Sequence, residues 1–290
     1  MSEDGLNSAP LDDDAAPEVI DGIRSLHSRI DELHRLVARR LDAEGVHAGE
    51  WLHERATDVV HPHQARPPVP AWRRKTKGEV RWPVAFTTAA GIALQVAVPD
   101  KLHLIHPSWA FPAVQGALLI VLVTVNPHRI DRQSKVMRSL GLTLAAMLSL
   151  GNGWSVAALA VGITRGTMGQ DAGQLLITGG VIWLTNVIVF GLWYWEFDRG
   201  GPVARALNLK NRYPDFQFPQ MTSPDMAPPD WEPAFVDYLY VAFTNATAFS
   251  PTDTMPMSRW AKVAMTVQSI ISIVTVALVV SRAVNILPNG

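Results

Sequence analysis

The chain has 290 residues, 48% of them hydrophobic, a mean hydropathy of +0.11 and a formal charge of −1 from 25 Lys and Arg against 26 Asp and Glu. It contains no cysteine, which excludes a disulfide framework, a thiol nucleophile and Cys-ligated metal. No P-loop, dinucleotide-binding glycine fingerprint, nucleophile elbow or HExxH occurs, so no enzyme, no catalytic residue and no cofactor is expected.

The near-zero charge hides segregation. Acids crowd the start (Glu3, Asp4, Asp12, Asp13, Asp14, Glu18), and residues 1–16 read as a disordered acidic tail. In 17–58, Val19, Ile23, Leu26, Ile30, Leu33 and Val37 recur at the a/d spacing of a coiled coil for under three heptads. Two readings stand for this helix: packing within its own chain, or self-association. Residues 61–72 hold four prolines and read as a semi-rigid spacer. The basic cluster that follows (Arg73, Arg74, Lys75, Lys77) sits just before an apolar run, the usual place for contact with anionic lipid rather than nucleic acid. His53, His61, His63, His103 and His106 have no supporting ligand spacing, so no metal is expected.

From residue 82 the character changes. Stretches 82–99, 102–128, 139–164, 172–195 and 263–281 each lack Asp, Glu, Lys and Arg over eighteen residues or more. Eighteen residues at ~1.5 Å each approach a hydrocarbon layer of ~30 Å. Trp82, Trp109, Trp193, Trp195, Trp231 and Trp260 lie at or near the ends of apolar runs, where indole favours the interface. The expected architecture is all-α: an integral membrane bundle over 82–290 with hydrophobic helices at 82–99, 108–127, 139–163, 173–196, 232–249 and 261–286, preceded by a cytoplasmic helix and basic linker over 17–81. Gly151-Asn152-Gly153 inside the third helix reads as a kink or close-packing point. Because the start is acidic and polar, unlike a signal peptide, the first apolar run is expected to stay as an anchor.

Lys and Arg in the segments flanking these runs count six, one, four, one, four, which places the N-terminus and residue 198 in the cytoplasm of an inner membrane. The fifth helix, 232–249, either spans or is re-entrant. The charge alternation favours spanning, six crossings in all, with the C-terminus back in the cytoplasm. The connection 198–230, with six prolines, is long enough to expect it packed over something.

Residues 231–287 carry a resemblance. Tyr240, Phe243, Ala246, Thr247, Asp253, Pro256 and Arg259 sit at the spacings of the pore helix, filter and inner-helix start of two-transmembrane potassium channels. That block resembles a degenerate version of the potassium-channel pore module. The filter-like residues are Thr247, Ala248, Phe249, Ser250, Pro251, Thr252 and Asp253. Ser250 and Thr252 stand where the family has glycines, and Pro251 fixes φ, so a regular ladder of ion-facing carbonyls is not expected. In layout, 82–287 resembles more closely a bacterial family of multi-pass membrane proteins with little established chemistry. The pore-like block implies a homo-oligomer passing monovalent cations with weak selectivity; the alternative is a non-conducting scaffold associating through its N-terminal helix. Asp237 reads as an intramembrane ionisable group or a solvated helix end. Asn186 and Asn245 read as bonds between helices. The polar turn at 250–253 serves equally as a helix break and cap.

Overall fold

The computed structural model describes residues 22, 24–33, 35–36, 69–125, 134–168, 171–209, 213–247 and 253–286. The chain divides into two units, Met1–Pro68 and Val69–Gly290. In the first, the described residues between 22 and 36 are helical, with Leu26, Ile30 and Leu33 exposed. Val19, Ile23 and Val37 lie outside the described residues, as do the acidic tail, His53, His61 and His63.

The second unit is an all-α bundle. Its main helices are α1 (Trp82–Ala97), α2 (Ala110–Val125), α3 (Lys135–Thr164), α4 (Ala172–Phe197), α5 (Phe235–Thr247) and α6 (Arg259–Ile286). Among them α3, α4 and α6 are long and apolar enough to cross a membrane; α1 and α2 are apolar but shorter. At 16 residues each, α1 and α2 measure ~24 Å. Pro83 occupies the first turn of α1, where its missing N–H costs nothing. Ser134 and Asp171 cap α3 and α4 through Met137 N and Gln174 N. Helix α3 starts four residues before the expected boundary, because this cap draws Lys135 and Arg138 into its first turn. Gly151 sits mid-helix with no break, and a Cβ there would lie 2.8 Å from Gln95 Nε2, so this is a close-packing point.

Two clusters mark the ends of the bundle. At one end Val84, Leu192, Trp195, Phe216, Phe235, Tyr238 and Ala261 belong to a common core. At the other, Val98, Leu102, Leu159, Leu175, Val279 and Ala283 pack together. The first residues of α1 and α6 and the last of α4 therefore share the first end, and the final turn of α6 lies at the far end beside the start of α4. Outward faces are aliphatic and aromatic: Phe86, Ile120, Leu150, Ile177, Val263, Ile270 and Val284 are all exposed.

This placement corrects the favoured six-crossing arrangement. The described part of α5 has 13 residues, ~20 Å. Phe235 starts at the first end, where its amide donates to Glu79 Oε2 at 2.9 Å. After α5 the chain reappears at that same end, since β2 (Met255–Pro256) pairs antiparallel with β1 (Phe216–Gln217), Phe216 opposite Pro256. Trp260 Nε1 and Met257 N then bond to Asp215 at 2.8 and 2.7 Å. The described chain before α5 and after it thus meets at one end of the bundle, and α6 ends at the other, an arrangement the six-crossing expectation does not provide. The reason is local: the flanks of α5 are pinned to the connector, a constraint that charge counting does not register.

Candidate functional site

The described end of α5 lies in a polar seam between α4, α5 and α6. Gly191 on α4 lets α5 approach, for a Cβ there would meet Leu239 Cδ1 at 3.2 Å and Leu239 Cα at 3.3 Å. Across this contact Asn245 Nδ2 donates to Met265 O at 2.9 Å and to Gln268 Oε1 at 2.7 Å. Gln268 Oε1 also accepts from Tyr194 Oη at 2.6 Å, while its Nε2 donates to Ala242 O at 2.8 Å. Ser269 Oγ bonds Asn245 Oδ1 and O, both at 3.2 Å. One helical turn further, Asn186 Nδ2 donates to Ser272 Oγ at 3.1 Å. Buried amides so arranged satisfy one another, the condition for polar groups away from water. Asn186 and Asn245 each bond α6 from a neighbouring helix. Gln268 and Tyr194, central to the seam, were not singled out: a lone Gln in an apolar helix carries no spacing signal.

Of the filter-like residues, Thr247 closes α5, its Oγ1 bonded to Thr244 O at 2.7 Å, and Asp253 is exposed. Ala248, Phe249, Ser250, Pro251 and Thr252 lie outside the described residues. Asp237 Oδ2 accepts from Ala234 N at 2.8 Å in the first turn of α5. His103 Nε2 lies 2.8 Å from Val98 O, and no cluster of three metal-ligating side chains occurs among the described residues.

A second constellation holds α5 and α6 from the connector side. Arg205 is buried; its Nη2 pairs with Glu79 Oε1 at 2.9 Å, and its Nη1 donates to Trp195 O at 2.6 Å and Asp198 O at 3.0 Å. Glu79 Oε2 accepts from Trp195 Nε1 at 2.8 Å in addition to the Phe235 amide. Asp198 accepts from Tyr238 Oη and from Asp215 N, and Asp215 Oδ2 from Arg199 N at 2.9 Å. Arg199 Nη1 reaches Trp72 O at 2.6 Å. Arg199 has φ +49, followed by Gly200 and Gly201 at +85 and +98, a left-handed run that turns the chain sharply off α4. Burial pulls the Arg205 guanidinium pKa down, but Tyr238, Glu79 and Asp198 around it outweigh burial and raise it, so the cation is fixed. Two of the four charges counted for orientation after α4, Arg199 and Arg205, are therefore buried structural groups. Trp195 and Trp260 are likewise hydrogen-bonded into this hub, whereas Trp82 and Trp109 are exposed at helix starts as interfacial indoles are. Arg73, Arg74, Lys75 and Lys77 are exposed ahead of α1.

Neither protein-family models, nor curated proteins, nor solved structures yield a match to this chain.

Proposed function

We propose that the chain is a multi-pass inner-membrane protein whose α5–turn–α6 block forms, in a homo-oligomer, a weakly selective pathway for monovalent cations. The single observation that carries this reading is that the described flanks of α5 meet at one end of the bundle, the connectivity a pore loop requires. Asn245 on α5 meets Met265, six residues into α6, and Ser269, four further; α5 therefore ends roughly 15 Å inside the bundle, near mid-depth of a ~30 Å layer. A helix C-terminus carries about half a negative charge, so ending there favours a cation at that depth. The buried hub fixes the angle of α5, as a loop delivering residues to a shared axis needs. With the basic end cytoplasmic, the loop dips from the cytoplasmic side, inverted relative to potassium channels.

Pro251 and the absence of glycine at Ser250 and Thr252 argue for poor discrimination between potassium and sodium. The test is flux from liposomes holding the purified full chain. Comparable potassium and sodium currents support the reading; strong potassium selectivity refutes the filter argument, and no flux from an oligomer of intact fold refutes the pathway. The scaffold reading is favoured by one observation, the exposed Leu26, Ile30 and Leu33 on one short helix. A monomer in mild detergent contradicts the pathway and favours the scaffold reading.

A further inference from the structure

Beside the hub, away from the α5–α6 block, lies a cavity of about 290 Å³ between the starts of α1 and α3 and the ends of α2 and α4. Its two halves differ in chemistry. The deeper wall is aliphatic, built by Val84, Leu119, Leu122 and Leu144. The rim carries Arg81, Lys135 and Arg138, with Glu196 the one acid among its described residues. Arg81, which lines the cavity, is 9% exposed, and its Nε has no hydrogen-bond partner among the described residues. Burial lowers its pKa, a cost that Glu196 only partly offsets. Glu196 is itself shared: a Cβ at Gly201 would lie 3.6 Å from Glu196 Oε2 and 3.9 Å from the Arg138 guanidinium carbon, and Arg205 acts on the same carboxylate. Lys135 and Arg138 are exposed and Glu196 is buried, so the mouth is cationic. The N-terminus of α3, with Ser134 and Lys135 on the lining, adds a positive dipole end to the same rim.

We infer that this cavity binds an anionic phospholipid, its phosphate held among Arg81, Lys135 and Arg138 and the upper part of one acyl chain lying along the α1–α2–α3 wall. Buried donors need an acceptor, and a phosphate oxygen supplies one at charge-assisted strength. The volume fits a headgroup and the first part of one chain, at the small end of ligand pockets. A free inorganic phosphate uses the rim and leaves the wall empty; the wall therefore argues for an amphiphile.

The test titrates the purified full chain in neutral detergent with phosphatidylglycerol, phosphatidylcholine or inorganic phosphate, reading bound mass by native mass spectrometry. One phosphatidylglycerol per chain, held about tenfold or more tightly than phosphatidylcholine, is expected from two to three cation contacts. Lys135→Gln with Arg138→Gln, both at exposed positions, removes that preference, and Leu119→Gln on the wall weakens phosphatidylglycerol binding with the cations intact. Lys101→Gln, at the far end of the bundle, changes neither. Equal binding of the two lipids, or a preference surviving the double substitution, overturns the site. Competition by inorganic phosphate as effective as by lipid overturns the amphiphile.

Discussion

Removing Glu79 isolates the hub from every other feature. Its carboxylate takes three bonds at once: Arg205 Nη2 at 2.9 Å, Trp195 Nε1 at 2.8 Å and Phe235 N at 2.9 Å. The side chains of Arg205 and Glu79 are 3% and 9% exposed, so the pair is desolvated rather than a surface bridge. Truncating one partner of such a pair strands the other charge, at a cost of about 3–5 kcal/mol, against about 0–1 kcal/mol for an exposed pair. Glu79→Ala should therefore lower stability by about 3–5 kcal/mol in a reversible detergent-titration unfolding assay. Glu79→Gln keeps the shape and one acceptor and should fall between the two. Because Phe235 N loses its acceptor, the start of α5 should gain amide-exchange rate before the far end of α4 does. A loss below ~1 kcal/mol for the alanine variant would refute a buried, interdependent hub.

Other consequences follow from the seam and the N-terminal helix. Gly191→Leu drives a side chain into Leu239 and should cost about 1–3 kcal/mol or more, whereas Gly153→Leu, with nothing within 4 Å, should be tolerated; equal effects contradict the α4–α5 contact. Asn245→Leu removes one of the two donors to Gln268 Oε1 and the side-chain bond to Met265 O, for about 0.5–1.5 kcal/mol per bond, and combined with Gln268→Leu should cost less than the sum of the singles. Strict additivity in unfolding would separate the two residues. Leu26→Glu with Ile30→Glu in the full chain should lower the oligomer order measured by light scattering if the N-terminal stripe drives association, and an unchanged order removes the scaffold reading.

Much of the bundle was legible because charge-free length is a direct physical signal. Helix α4 matches its expected boundaries to within a residue at each end, and α6 starts two residues early. What stayed hidden is set by long-range partners. Glu79 lies among Lys75, Lys77 and Arg81 with no spacing signal of its own; its burial depends on Arg205, 126 positions away. Arg199 and Arg205 read as loop cations because sequence shows charge and not solvation. The meeting of the two flanks of α5 at one end rests on a two-residue strand pair between 216–217 and 255–256, far too short to leave a periodicity. A signal was present, though: the charge-free run between Asp237 and Asp253 is shorter than the eighteen residues or more of the other apolar stretches.

The measurement closest to the central claim is the sidedness of three positions in this cysteine-free chain. Single cysteines at Ser223, Met257 and Asn285, in otherwise unaltered protein in intact cells, are challenged with a membrane-impermeant thiol reagent. Residues 223 and 257 flank α5 at one end of the bundle, and Asn285 is exposed at the other. The re-entrant arrangement predicts the same response at 223 and 257 and the opposite at 285; with the basic end cytoplasmic, only Asn285→Cys labels. Opposite responses at 223 and 257, or agreement of 285 with 223, would contradict it.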